Sequence, residues 1–159
     1  MGYGNWTEIK IANTSDVPIQ FANSGLSWGR FYSCEPSCTL LMIFHMNTLT
    51  DLSPTANKDA EISPDGLNKT TIDAGRTYTI GSCGRENTWS GTEGHFDLAS
   101  NQGLTIAKFK FYSPHGTSYN SFNIDCPNPG VWSATATGGD FGNGGPLGSI
   151  TVTVKKVGA

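Results

Sequence analysis

The sequence predicts a single all-β domain over residues 1–159, built as an antiparallel β-sandwich. Three observations carry that prediction. Polar and apolar residues alternate with period two along most of the chain, clusters of Gly, Asn, Ser, Asp and Pro interrupt the alternation at short intervals, and no segment sustains a long helical period. Composition agrees. Of 159 residues 20 are glycine, 36% are hydrophobic and 14% charged, which suits a turn-rich fold whose outer face is made of hydroxyls and amides. A chain of this length is one domain's worth and buries roughly two-thirds of its unfolded surface.

Taken in order, Glu8-Ile9-Lys10-Ile11 alternates as a half-buried strand does, and Asn13-Thr14-Ser15-Asp16 reads as a turn. Val17, Ile19 and Phe21 line one face of a second strand, Asn23-Ser24-Gly25 makes the next turn, and Leu26 to Tyr32 forms a third. The opening therefore reads as a meander. Further strands are expected at Lys69–Ile72, Thr77–Ile80, Gly94–Leu98, Ile106–Tyr112, Tyr119–Ile124, Val131–Thr137 and Leu147–Val154. In Ile106-Ala107-Lys108-Phe109-Lys110-Phe111 the lysines point one way and the aromatics the other. The sequence contains no internal repeat.

One segment breaks this order. Thr39-Leu40-Leu41-Met42-Ile43-Phe44-His45-Met46 is apolar up to His45 and then yields to a polar stretch, Asn47 to Asp65, with Pro54 and Pro64. Periodicity does not separate a strand buried on both faces from a short helix, and the run reads equally as a core element or as a protruding apolar element, Leu40, Leu41, Met42, Ile43 and Phe44, that meets a second copy, a partner or a bilayer.

The chain is organised around Ser82 to Leu98. Thr77-Tyr78-Thr79-Ile80 runs into this stretch, Gly94 to Leu98 resumes the alternation, and a polar loop with Gly84, Gly91, Gly94 and a central Trp89 lies between them. Two arms joined in this way read as a hairpin or a strand-to-strand connection at one end of a sheet. Trp89 either folds back over the sheet edge or stands on a recognition loop.

Charge and cysteine usage exclude several function classes. The net charge is −3, and the lysines and arginines are scattered apart from Lys155-Lys156. The basic footprint that nucleic acid or anionic lipid requires is missing. The start of the chain shows no secretory signal and Trp6 breaks the myristoylation pattern, so the protein is expected to be made soluble; action outside the producing cell is implied only by the resemblance given below. The glycosylation triplets at Asn5, Asn13 and Asn68 are then chance matches. Cys34-Glu35-Pro36-Ser37-Cys38 closes as a small disulfide loop or stands as two thiols, and Cys83 reads as a buried small hydrophobe. The spacing of Cys83, Cys126 and the histidines argues against zinc, and no cofactor motif is present.

Four stretches then occur in a telling sequence: Tyr3-Gly4-Asn5-Trp6; Ser27-Trp28-Gly29-Arg30; Cys83-Gly84-Arg85 with Gly94-His95-Phe96-Asp97-Leu98; and Gly145-Pro146-Leu147-Gly148-Ser149-Ile150-Thr151-Val152. They resemble the aegerolysin family, in its order and over nearly the whole chain. The resemblance implies an acidic β-sandwich that binds particular membrane lipids and partners a larger perforin-like protein to make a pore. The chain looks more like a bacterial member, which implies the small component of a two-component insecticidal toxin. It also departs from the family. Ser90 stands where lipid-binding fungal members carry a glutamate, with Glu93 three residues on as a substitute. The family's Asp-Cys-Pro-Trp matches Asp125-Cys126-Pro127 by letter and Ser113-Pro114-His115-Gly116 by strand register, each without the Trp. Residues at about 33–60 look like an insertion relative to the shorter fungal members.

Trp and Tyr favour the water–lipid boundary, where an apolar ring and a polar edge are both satisfied. Trp6, Trp28, Trp89 and Trp132, with Tyr3 and Tyr119, are the candidate anchors, and Glu93 the candidate headgroup contact. Trp28 and Trp132, flanked by strand residues, lean towards the core, whereas Trp6 and Trp89 lean towards contact. A lipid-binding toxin subunit is the leading reading. A carbohydrate-binding sandwich is the rival. An enzyme using Glu86, Glu93 and Asp97 as paired carboxylates is disfavoured, because a hairpin spreads them.

Overall fold

A computed structural model describes residues 5–34, 60–85 and 89–157. It contains β1 (Trp6–Asn13), β2 (Ile19–Trp28), β3 (Arg30–Ser33), β4 (Glu61–Ile62), α1 (Pro64–Leu67), β5 (Thr71–Ile72), β6 (Thr77–Cys83), β7 (Thr92–Ser100), β8 (Thr105–Ser113), β9 (Ser121–Asp125), β10 (Trp132–Gly138) and β11 (Gly148–Lys156). They form two facing sheets, one in the order β10-β11-β1-β6-β3-β4 and the other β5-β2-β7-β8-β9. The expected all-β sandwich is the fold. Among the described residues every strand pairing is antiparallel except β1 with β11, which run parallel in the register Ile9↔Ile150 and Ile11↔Val152.

Alternation explains the core. Ile9 and Ile11 of β1, Ile150, Val152 and Val154 of β11, and Phe109 and Phe111 of β8 turn inward and are buried, while Lys108 and Lys110 stay in water. On the inner face of the second sheet Phe96 stacks on its cross-strand neighbour Phe109 with centroids 4.8 Å apart, and Phe21 tilts against Phe96 at 5.3 Å. Cys83 is buried, as its place at a strand end predicts.

The opening corrects the sequence reading. Asn23-Ser24-Gly25 is not a turn but a bulge inside β2, where the pairing with β7 shifts between Ala22 and Gly25. Asn23 adopts φ 49°, and the Ser24 N–H donates to Asn68 Oδ1 at 2.9 Å. The expected meander is also replaced. β1 lies in the first sheet, β2 in the second and β3 in the first again, so successive strands cross between layers. The crossing between β2 and β3 is Gly29, at φ +95°, where a Cβ would stand 2.6 Å from both Cys83 O and Thr92 Oγ1. The strand expected at Lys69–Ile72 shortens to Thr71–Ile72, because Ser63 caps a one-turn helix that occupies the residues before it. The expectations for Tyr3, the Cys34–Cys38 bridge, the apolar run Leu40–Phe44 and most of the insertion at 33–60 fall outside the described residues.

Candidate functional site

Register places the recognition residues. Trp28 closes β2 opposite Glu93, near the start of β7, and Glu93 faces Tyr112 near the end of β8. These three side chains form one row on the outer face of the second sheet. Trp6 opens β1 beside Cys83, the last residue of β6, and Gly148 opens β11 opposite Thr7. One end of the sandwich therefore gathers the entrance of β1, the β2–β3 corner, the described residues between β6 and β7 (84, 85 and 89–91) and the loops 114–120 and 139–147.

Close backbone approach locks these loops. The loop after β6 turns back so tightly that a Cβ on Gly84 would meet Ser90 O at 2.1 Å, and one on Gly91 would meet Ser113 O at 2.2 Å. Ser82 and Thr92 share a hydroxyl–hydroxyl hydrogen bond of 2.5 Å, and the Thr92 hydroxyl donates to Trp28 O at 3.3 Å. Asn5 Nδ2 donates to Pro114 O, tying the chain's first described residue to the β8–β9 loop. Ser113 Oγ accepts from the Leu147 N–H at 3.0 Å, joining the same loop to the entrance of β11.

The result is a cleft of about 330 Å³ lined by Trp28, Trp89, Glu93, Tyr112, Pro114 and His115, with backbone from Ser90 to Thr92. Trp89 meets His115 edge to face at 5.0 Å. Both indoles are displayed to solvent, Trp28 at 65% and Trp89 at 86%. Among the described residues neither lysine nor arginine lines the cleft, and its one carboxylate, Glu93, sits between Trp28 and Tyr112. Electron-rich ring faces around a single anion suit a small organic cation: the rings attract its charge and the carboxylate balances it. A second groove, of about 560 Å³, continues from Glu93 and Tyr112 along His95, Lys110, Ser121 and Asn123.

The sequence candidates divide cleanly. Trp28, Trp89 and Glu93 converge in the cleft, and Trp6 stands half-buried at the same end. Trp28, expected to lean towards the core, is instead exposed, because it sits past the last inward position of β2, where the chain turns to the other sheet. Trp132 is corrected in the opposite sense. It is 2% exposed and begins β10 opposite Lys156, at the far end of the sandwich, so it has no surface to offer a membrane. Of the two stretches compared with Asp-Cys-Pro-Trp, Ser113–Gly116 is the one whose Pro114 and His115 reach the cleft, while Asp125 ends β9 at the far end. Tyr112 is absent from the sequence candidates. Its role follows from register alone, which no local sequence signal reports.

Comparison with known proteins gives three findings. The family described as Aegerolysin matches residues 50–157. Aegerolysin Aa-Pri1 of Cyclocybe aegerita is 34% identical over 98% of this chain and 93% of its own length, and Asp-hemolysin of Aspergillus fumigatus is 27% identical over 97% and 94%. Among solved structures, RahU protein, described in complex with a TRIS molecule, superposes with a TM-score of 0.79 at 25% identity, covering 99% of both chains.

Proposed function

Because this chain belongs to the aegerolysin family, we propose that it is the lipid-binding subunit of a two-component pore-forming toxin with an insect target, one that grips the membrane and recruits a larger perforin-like partner. The observation that carries the reading is the aromatic cleft, with Glu93 the one carboxylate among its described residues, at the loop-bearing end of the sandwich. Such a cleft takes the ammonium group of a lipid headgroup, while the exposed indoles rest in the interfacial layer. The TRIS molecule described with RahU is a small hydroxylated amine, and the name Asp-hemolysin records a lytic relative; both support this assignment. The protein binds and does not transform its ligand. Glu93 and Asp97 lie on the same face of β7, four residues and so ~13 Å apart, beyond the ~5 to 9.5 Å that paired glycosidase carboxylates span. Acting after release, this chain supplies the address and the partner supplies the wall of the pore.

The test is vesicle flotation and dye release with lipid extracted from insect midgut. Binding by this chain alone, with release only when a perforin-like protein is added, supports the proposal; no flotation, or release by this chain alone, overturns it. The polar groove bearing Lys110, Ser121 and Asn123 favours a second reading, a carbohydrate-binding module, which predicts glycan-array signals without flotation.

Two outcomes follow from the lack of lysine and arginine among the described residues of the cleft. Attachment changes by less than ~3-fold between low and high salt, because it rests on a desolvated headgroup contact and apolar insertion, not on surface charge. Glu93→Gln keeps the shape of the cleft, removes the charge and weakens vesicle binding by ~10-fold, measured by titration of intrinsic fluorescence.

A further inference from the structure

The end of the sandwich that bears the cleft carries a second feature separate from it. The loops 114–120 and 139–147 are strapped into one platform. The Asn120 N–H donates to Gly142 O at 3.1 Å, and its side-chain amide donates to Asp140 O at 2.8 Å and Gly145 O at 3.2 Å. Tyr119 bridges Asn143, the Gly142 N–H donates to Asp140 Oδ1 at 2.8 Å, and the Asp140 N–H donates to Leu147 O at 2.7 Å. Asn120 is itself buried, so the strap lies beneath the surface. Two aromatics of these loops remain exposed, Tyr119 at 69% and Phe141 at 51%, and neither lines the cleft.

A bonded platform that leaves two large aromatics in water is an unusual arrangement, since ordinary packing would bury both rings. Charge narrows the choice of occupant. Apart from His115, which belongs to the cleft, the residues of both loops include a single side chain charged at neutral pH, Asp140, whose carboxylate is turned onto the platform's own backbone. A surface with so little charge suits the acyl–headgroup boundary of a bilayer. The strap means that insertion orders few extra bonds, so little conformational entropy is lost on contact.

We infer that Tyr119 and Phe141 form a second membrane-contact point, which inserts into the interfacial layer without regard to headgroup while the cleft reads the headgroup. This rests on the membrane reading given above. The cleft then decides which lipid is bound, and the platform decides how long the protein stays.

The experiment compares the unmodified protein with Tyr119→Ser/Phe141→Ser on vesicles of midgut lipid extract. A control variant, Leu104→Ser/Val131→Ser, alters exposed apolar residues of the far-end loops that adjoin β8 and β10. The expected result is ~10-fold to 100-fold weaker vesicle binding for the platform variant, dominated by faster dissociation, with the control unchanged. TRIS-induced change in intrinsic fluorescence stays as in the unmodified protein, because the cleft is untouched. Phe141→Trp gives an emission blue shift on vesicles and is quenched by brominated acyl chains. Equal vesicle binding by the platform variant, or a Phe141→Trp emission that ignores the bilayer, overturns the inference and leaves the headgroup reading standing. A concentration-dependent dimer lost in the platform variant assigns the surface to a second copy and also overturns it. If the unmodified protein does not bind the vesicles, both readings fall together.

Discussion

Replacing Trp28 and Trp89 together with alanine lowers vesicle affinity by about two orders of magnitude and leaves the sandwich folded. Both indoles are largely outside the core, so truncation opens no cavity and stability changes by less than ~1 kcal/mol. What is lost is contact with the membrane. Two ring faces around one bound cation contribute ~0.5 to 2 kcal/mol each, more as the site dries, and each indole adds its own interfacial partitioning. A combined loss of ~2 to 4 kcal/mol corresponds to roughly 30-fold to 1,000-fold in affinity. Flotation and surface plasmon resonance on lipid-extract vesicles measure it, with near-ultraviolet circular dichroism as the check on folding. Affinity within ~2-fold of the unmodified protein would remove the cleft from membrane recognition. Trp132→Phe serves as the contrast: a buried change at the far end, felt in stability and not in binding.

Gly81→Val is expected to be the most damaging single substitution in the first sheet. β6 runs between β1 and β3, and Gly81 faces Tyr32 across the β3–β6 pair. A Cβ on Gly81 would sit 2.1 Å from Cε2 and Cζ of the Tyr32 ring. That ring is fully buried, and its burial pushes the phenol well above its ordinary titration range. The side chain forces either the ring out of its rotamer or the strands apart, at a cost of ~3 kcal/mol or more. For a domain of this size the melting temperature falls by ~10 °C, read by thermal denaturation. Tyr32→Leu in the same background recovers part of the loss, since the two residues compete for one volume. A melting temperature within ~2 °C of the unmodified protein would mean that the ring relocates freely.

How much of this is legible from residue order differs by element. β8 and β11 are plain, because one face is packed and the other wet, and a period of two has no other cause over such lengths. The β2–β3 crossing is not. A bulge uses the same Asn-Ser-Gly vocabulary as a turn, and only pairing with β7 distinguishes them. The position of Trp89 on a Gly-bounded loop marks it for exposure, and the same logic applied to Gly139-Asp140-Phe141-Gly142 finds Phe141. Trp28 and Trp132 both stand at strand boundaries, so their opposite fates depend on which end and layer each strand occupies. Tyr112 joins the cleft through cross-strand register, which leaves no local trace, whereas His115 lies in the Ser113–Gly116 stretch that the family resemblance singles out.

The parallel pairing of β1 with β11 has a consequence for biosynthesis. The first strand of the sandwich to leave the ribosome must wait, one edge unsatisfied, for the last. Loops from both halves of the chain build the gripping end, so a nascent fragment has no working grip. Each copy acquires its grip only once the last strand of the sandwich has emerged and paired with the first.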